Sequence, residues 1–140
     1  VLKYTNGEKF VGSFKENLRN GKGTFHYQDG SLFEGNYQND AKHGDGKLTY
    51  PGGEIFYGVW DSGVRADPGK FVYKDGTIYD GDFVDEKKSG CGSLRYKNMD
   101  FYVGNFADDL RQGYGSYKWT NGDKYEGDWV NDMREGEGIF

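Results

Sequence analysis

Metal-binding and disulfide-forming side chains are scarce in this chain of 140 residues. It has one cysteine, Cys91, and two histidines, His26 and His43. A single cysteine forms no internal disulfide, and these ligands lack the spacing of a zinc site. No Asn-x-Ser/Thr sequon occurs either. We therefore expect no metal and no disulfide, and a cytoplasmic location.

Basic surface and long apolar runs are missing as well. The formal net charge is -5 at pH 7, whereas binding to nucleic acid needs a concentrated positive surface. The same charge disfavours anionic membrane. No apolar run approaches the length of a signal peptide or a transmembrane span. These absences exclude a nucleic-acid partner and an integral membrane protein.

Motifs typical of enzymes are also absent. Gly-x-Gly recurs but never as Gly-x-Gly-x-x-Gly before a helix, and no phosphate-binding loop of the Gly-x-x-x-x-Gly-Lys type is present. Asp80, Asp82 and Asp85 lack calcium-loop spacing, because Val84 occupies a ligand position. Paired acids recur with the repeat described below, unlike a catalytic pair, which is normally unique. We expect a protein that is not an enzyme and has no cofactor.

Glycine and aromatic residues are abundant, and they repeat. The chain holds 24 Gly, where average usage gives about 10, together with 12 Tyr, 10 Phe and 3 Trp. An aromatic marker recurs every 23 residues, at Phe10, Phe33, Phe56, Tyr79, Tyr102 and Tyr125. Glycine follows two residues after each marker and a second aromatic two residues later, at Phe14, Tyr37, Trp60, Phe83, Phe106 and Trp129. This alternation is typical of a β-strand.

A second strand and a turn complete each repeat. The strand opens with Gly-x-Gly, as in residues 21–23, and ends before a turn dipeptide such as Asp29-Gly30. A three-residue turn, 28–30, would pair Phe25 with Phe33 and so keep the aromatic residues on one face. The other connection, residues 15–20, would pair Phe14 with Gly21, Gly12 with Gly23 and Phe10 with Phe25.

These pairings predict an all-β fold, an elongated single-layer antiparallel sheet of tandem 23-residue hairpins. We expect a single repeat array over residues 1–140, part of a longer array in its parent protein. The repeats are predicted at a partial 1–7 and then at 8–30, 31–53, 54–76, 77–99, 100–122 and 123–140.

The run Lys-Tyr-Glu-Gly-Asp-Trp at residues 124–129, followed by a basic residue and Gly-x-Gly, resembles the MORN repeat (membrane occupation and recognition nexus). The resemblance covers essentially the whole chain. It implies an antiparallel hairpin array used for docking. The family includes ciliary radial-spoke proteins, parasite cytoskeletal scaffolds, junctophilins, plant lipid kinases and a lysine methyltransferase.

Two departures from the repeat predict local irregularity. Asp67-Pro68 replaces Gly-x, and proline removes a hydrogen-bond donor, so we expect a bulge or twist in the third repeat. Asn98-Met99 replaces Asp-Gly, and methionine tolerates the left-handed region poorly, so we expect a rearranged turn.

The predicted aromatic face offers candidate partner-binding residues. Its glycine row has no side chains, so either a trough lies open to an extended peptide or helix, or the flanking rings lean over the glycines as a one-layer core. The open trough would present anchors to a partner. The candidates are Tyr27, Tyr50, Tyr73, Tyr96, Trp119, Trp60 and Trp129.

The reverse face carries a second apolar patch, in one predicted row, at Ile55, Val72, Ile78 and Phe101. The high β-propensity of these residues is one explanation for the cluster. The other is a surface for self-association or for binding a partner.

A basic residue also recurs at one predicted loop position, at Arg19, Lys42, Arg65, Lys88, Arg111 and Arg134. One interpretation is that these basic residues pair with the acidic residues two or three positions earlier in the sequence. The other is that they recognise phosphate or an acidic partner.

The leading hypothesis is a non-catalytic protein-protein interaction scaffold of a cytoskeletal or ciliary, radial-spoke-like assembly. One alternative is a peripheral membrane module that binds phosphoinositide, suggested by the family name and the basic residues. The other is a substrate-positioning region of a larger enzyme.

Overall fold

The computed structural model describes residues 1–139, in which thirteen β-strands and no helix occur. Seven-residue strands alternate with nine-residue strands over most of that length. The strands are β1 Leu2–Lys3, β2 Lys9–Lys15, β3 Leu18–His26, β4 Leu32–Gln38, β5 Ala41–Thr49, β6 Ile55–Asp61, β7 Val64–Val72, β8 Ile78–Val84, β9 Lys87–Arg95, β10 Phe101–Ala107, β11 Leu110–Lys118, β12 Lys124–Val130 and β13 Met133–Ile139. Accordingly, nothing in this range has the length and apolar character of a membrane-crossing helix.

The chain folds as two units, Val1–Asp67 and Pro68–Phe140. In the first, β1 to β6 pair in sequence order, each antiparallel to the next. In the second, β8 to β13 do the same, and the end of β7 pairs with β8. The fold class predicted from sequence, tandem hairpins in a single antiparallel layer, is confirmed. Asp67-Pro68, which departs from the repeat pattern, lies within β7 at the boundary between the two units.

The predicted three-residue turn is present. Tyr27 N–H donates to Ser31 O (2.9 Å) and Gly30 N–H donates to Tyr27 O (3.2 Å), which closes the loop 28–30. Gly30 has φ +95°, a left-handed value that glycine adopts without a steric penalty. The expected pairs Phe25 with Phe33, Gly23 with Gly35 and Gly21 with Tyr37 are all formed.

The other connection is tighter than predicted. Phe10 pairs with Phe25 and Gly12 with Gly23, as expected, but Phe14 faces Arg19 and not Gly21. Lys15 pairs with Leu18, so only Glu16 and Asn17 form the turn, both at positive φ. The register shift between Gly12 and Phe14 is a bulge on β3. Because the turn is this short, the basic residue Arg19 belongs to strand β3.

The core is one layer of rings lying on glycines. A Cβ added at Gly23 would stand 2.4 Å from Phe10 Cε2, and one at Gly46 would stand 2.7 Å from atoms of Phe33 and Trp60. The marker rings are the most buried side chains, with Phe10 and Phe33 fully enclosed. The interpretation in which rings lean over the glycine row is therefore confirmed, and the row is not an open trough.

The Asn98-Met99 turn is not rearranged, contrary to the expectation from sequence. Met99 adopts φ +75°, and its N–H donates to Tyr96 O at 2.9 Å, the bond that Gly30 makes in its own turn. Asn98 Oδ1 accepts from Asp100 N–H at 2.9 Å, so the rest of the turn holds Met99 in this conformation.

Met99→Gly should therefore stabilise the protein. The left-handed region costs a non-glycine residue about 1–2 kcal/mol, a cost that glycine avoids. Glycine also gives the unfolded chain more conformational freedom, which offsets part of this gain in stability. We expect a gain of about 0.5–1 kcal/mol in the free energy of unfolding, measured by urea denaturation. Met99→Ala, which keeps a side chain at positive φ, should give no gain; equal gains would show that this conformation carries no strain.

Candidate docking surface

A row of half-buried rings recurs on the aromatic face, one ring per repeat, just beyond the end of the longer strands. In the first unit the row contains Tyr27 and Tyr50, and in the second Tyr73, Tyr96 and Trp119. We call these residues, with Tyr4, the tyrosine row. Its rings pack on the strand before them, with Tyr27 4.6 Å from Phe25, Tyr73 4.7 Å from Phe71 and Trp119 4.6 Å from Tyr117, between centroids.

Tyr4 belongs to this row, although it was not among the candidates predicted from sequence. It is half-buried and its ring centroid is 5.7 Å from that of Phe25. It stands 23 residues before Tyr27, so the repeat itself carried the signal.

Two hydroxyls of the tyrosine row accept hydrogen bonds from lysines. Lys88 Nζ donates to Tyr73 Oη at 2.7 Å, and Lys42 Nζ donates to Tyr27 Oη. A phenol that accepts from an ammonium keeps its own hydrogen to donate elsewhere. Beside Tyr96, a surface recess is lined by Tyr96, Tyr117, Asp75, Thr77, Lys97 and Asn98. The row therefore combines ring surface, hydroxyl donors and, at Tyr96, a concave site.

The recurring basic residues lie in strands, not in loops as predicted, and their cations cover the marker rings. The guanidinium of Arg65 is 4.7 Å from the Phe56 centroid, and Lys42 Nζ is 4.9 Å from that of Phe33. Such contacts are cation–π interactions. The other four are Arg19 over Phe10 at 5.6 Å, Lys88 over Tyr79 at 5.8 Å, Arg111 over Tyr102 at 5.9 Å and Arg134 over Tyr125 at 5.8 Å.

The acidic partners of these cations come from the following repeat, not from the residues just before them. Three pairs follow the same rule, with the acid 21 residues after the cation: Arg19 with Asp40 at 2.6 Å, Lys88 with Asp109 at 3.5 Å and Arg111 with Asp132 at 3.0 Å. The Arg19 hydrogen bond lowers the pKa of Asp40 below its ordinary value. This separation of 21 was visible in the sequence, but its meaning depends on the two-residue turn.

Trp60 and Trp129 are placed in the core, with 4% and 3% of their surface exposed. Trp129 Nε1 donates to Gly115 O at 3.2 Å. At the equivalent position Tyr37 is also buried, and its hydroxyl has no hydrogen-bond partner in residues 1–139. Burial raises the pKa of Tyr37.

The second apolar patch is half-buried on the reverse face. Val72 pairs with Ile78, Ile78 with Arg95 and Arg95 with Phe101, so these four share a row in the second unit. Arg95 separates the apolar residues, and its guanidinium lies 5.6 Å from the Phe101 centroid. Ile55, in the first unit, pairs with Thr49. The patch is therefore interrupted by a cation.

A buried carboxylate joins two successive turns. Asp100, 6% exposed, accepts from Tyr117 Oη at 2.7 Å and from Thr120 N–H at 3.0 Å. The Tyr117 hydrogen bond lowers the pKa of Asp100, and burial raises the pKa of Tyr117. Hydrogen bonds through Asp100 thus connect the turn after Tyr96 with the turn after Trp119.

Among the side chains that the structure describes, no group of three or more His, Cys, Asp or Glu residues has the geometry of a metal site. Cys91 is exposed and forms no disulfide. None of the candidate residues therefore has a metal-binding neighbour set in the described part of the chain.

Comparison with protein families identifies the repeat. The MORN repeat family matches residues 10–32, 33–55, 79–98, 102–124 and 125–140. Residues 56–78, which contain Asp67-Pro68, lie between two of these matches. A comparison with curated protein sequences finds no significant match.

One solved structure shares the fold of this chain, and a second one matches it with a low score. The TCP domain of SAS-4 (dCPAP) from Drosophila melanogaster, in complex with a proline-rich motif of Ana2 (dSTIL), superposes with a TM-score of 0.56 at 17% identity, over 89% of this chain and 68% of that one. The wild-type TCP10 domain of Danio rerio CPAP, in complex with a peptide of Danio rerio STIL, gives 0.32 at 12% identity, over 93% and 77%. The similarity to the SAS-4 TCP domain is a similarity of fold.

Proposed function

Because this chain belongs to the MORN repeat family, we propose that it is a non-catalytic docking module for a protein partner, and that the members of the tyrosine row within one unit receive an extended proline-rich segment. The spacing of the row carries this proposal. Each repeat adds two strands, so successive members within one unit stand about 9.6 Å apart. A polyproline II helix advances about 9.3 Å in three residues. Every third residue of such a segment would therefore meet one ring.

The chemistry of the row fits the same ligand. Polyproline II has no internal hydrogen bonds, so its carbonyl groups need donors, and Tyr27 and Tyr73 retain a hydroxyl hydrogen to donate. Aromatic grooves commonly bind proline-rich segments because the ligand is already extended and loses little entropy. The proline-rich motif bound to the SAS-4 TCP domain, whose fold is similar, supports this choice of ligand.

The positions of the cations favour a protein partner over a phosphoinositide. Arg19, Lys88 and Arg111 pair with aspartates and lie over rings, so their charges are already engaged. The chain also has a net charge of -5. We further propose a place in a cytoskeletal assembly, since the family includes cytoskeletal and ciliary scaffolds.

A fluorescence anisotropy titration tests the proposal. The probe is a labelled peptide with proline at every third position, and its control has the same composition in scrambled order. We expect micromolar binding of the first peptide only. Tyr73→Ala should weaken it by about tenfold or more, and Tyr73→Phe, which keeps the ring but not the hydroxyl, should weaken it less.

Tyr114→Ala is the matched control. Tyr114 lies in the same unit with 59% of its surface exposed, but it pairs with Asp128 on the reverse face. Its removal should leave affinity unchanged. Equal binding of the scrambled peptide, or equal losses in the two alanine variants, would rule out the tyrosine row as the docking surface.

A further inference from the structure

Lys42 lacks the carboxylate that Arg19, Lys88 and Arg111 use. Asp40, Asp109 and Asp132 stand at the second position of a two-residue turn, with φ of 69–72°. Gly63 occupies this position for Lys42, at φ +87°. Ser62 before it has φ 50°, close to the 49° of Asn39, so the turn itself is the same.

The backbone link to the basic residue is also the same. Gly63 N–H donates to Lys42 O at 2.8 Å, as Asp109 N–H donates to Lys88 O at 3.1 Å. What differs is the side chain. Asp109 Oδ1 accepts from the Lys88 N–H at 2.7 Å and stands 3.5 Å from Lys88 Nζ. Gly63 supplies no such oxygen.

Lys42 is otherwise held like Lys88. Lys42 Nζ donates to Tyr27 Oη and lies 5.1 Å from that ring and 4.9 Å from Phe33. Lys88 Nζ makes the corresponding contacts with Tyr73 and Tyr79. Across residues 1–139, however, Lys42 forms no ion pair. Its half-buried ammonium is therefore positioned by aromatic rings without a counter-charge.

The space for a carboxylate is open. A Cβ added at Gly63 would meet no atom within 4 Å. A charge-assisted hydrogen bond from an ammonium to a carboxylate is about twice as strong as a neutral one. The site has one cation in a chain of net charge -5, so a singly charged carboxylate suits it better than a phosphate dianion.

We propose that Lys42 and Gly63 form a receptor site for one carboxylate, supplied by an aspartate or glutamate side chain of the partner segment. Tyr27 places this site beside the tyrosine row, so the source of the carboxylate rests on the proposed function. The chemistry of the site does not. An acidic residue would fix the register in which the segment lies on the row.

The first experiment uses a small probe and heteronuclear NMR. N-acetyl-aspartate N-methylamide should shift the backbone amide signals of Lys42 and Gly63 saturably at pH 7, and N-acetyl-asparagine N-methylamide should not. Gly63→Asp supplies the carboxylate internally and should weaken probe binding at least about tenfold. Asp109→Gly removes it from Lys88 and should create a second responding site there.

Shifts that persist in Gly63→Asp, or that the asparagine compound also produces, would overturn the proposal. If Asp109→Gly does not fold, Gly63→Asp alone decides, because its open site and its equivalents at Asp40 and Asp132 predict that it folds.

The second experiment identifies the source. In the proline-rich peptide, one aspartate flanking the proline series should strengthen binding to the native chain about fivefold over asparagine, and give no advantage with Gly63→Asp. Probe binding without any such advantage would show that free carboxylates, not a partner, use the site. If the proline-rich peptide fails to bind while the aspartate probe binds, the proposed function fails and the carboxylate site stands.

Discussion

Gly23→Ala should destabilise the first unit by about 3 kcal/mol, a large loss for a single methyl group. The added Cβ would stand 2.4 Å from Phe10 Cε2 and Cζ, far inside van der Waals contact. Phe10 is fully buried between Phe14 and Tyr37, whose ring centroids are 5.4 and 4.9 Å away. Because the ring has no room to withdraw, the strands themselves must separate.

Trp60 makes this loss measurable. It is the single tryptophan of residues 1–67 and is 4% exposed, so with Trp119 and Trp129 replaced by phenylalanine the tryptophan fluorescence during urea denaturation reports on the first unit. Gly52→Ala is the control in the same unit. There the new Cβ would meet mainly the carboxylate at the flexible end of Glu54, so we expect a change within about 0.5 kcal/mol. Similar losses in both variants would mean that the ring-on-glycine contact does not hold the layer together.

Arg111→Met should destabilise the second unit by about 2–3 kcal/mol. The Arg111 guanidinium lies 4.5 Å from the Trp129 centroid and 5.3 Å from that of Tyr117. Its Nε and Nη2 also donate to Asp132 Oδ1 and O, at 3.0 and 2.9 Å. Methionine preserves apolar volume, so the loss would measure the cation and its hydrogen bonds.

Arg111→Lys gives the matched comparison, because lysine stands at the equivalent positions 42 and 88. We expect about half of the methionine loss, since an ammonium keeps the charge but cannot make both guanidinium hydrogen bonds at once. Chemical denaturation followed by near-ultraviolet circular dichroism measures both variants. If Arg111→Met unfolds at the same urea concentration as the native chain, the cations are not part of the stabilising layer.

Local spacing was sufficient to predict the register at the three-residue turn. The positions of Phe25, Gly30 and Phe33 fix a side-chain parity that allows only one arrangement with all rings on one face. That the aromatic rings lean over the glycine row was one of two interpretations that the sequence allowed. It could not be selected from sequence, because whether a ring leans over a neighbouring glycine depends on rotamers and not on spacing.

The prediction from sequence was wrong where a turn was shorter than its polar composition suggested. Residues 15–20 look like a loop, yet Glu16 and Asn17 turn the chain alone, and the bulge at Gly21 absorbs the remaining length. Because of that error, the cation–π contact over each marker ring was not predicted from the sequence. For the same reason the pairing of Arg19 with Asp40, which lies 21 residues later in the chain, was not predicted.

The sequence by itself determined the repeat, the order in which the strands pair and the face on which aromatic and glycine residues gather, because a period of two within a strand and 23 between repeats fixes which residues share a face. Only the tertiary structure decided that rings close the glycine row, that cations cover the rings, and that Lys42 faces a glycine where Lys88 faces Asp109. These features arise from contacts between neighbouring repeats, whose geometry depends on the tight turn and its bulge and not on the order of residue types.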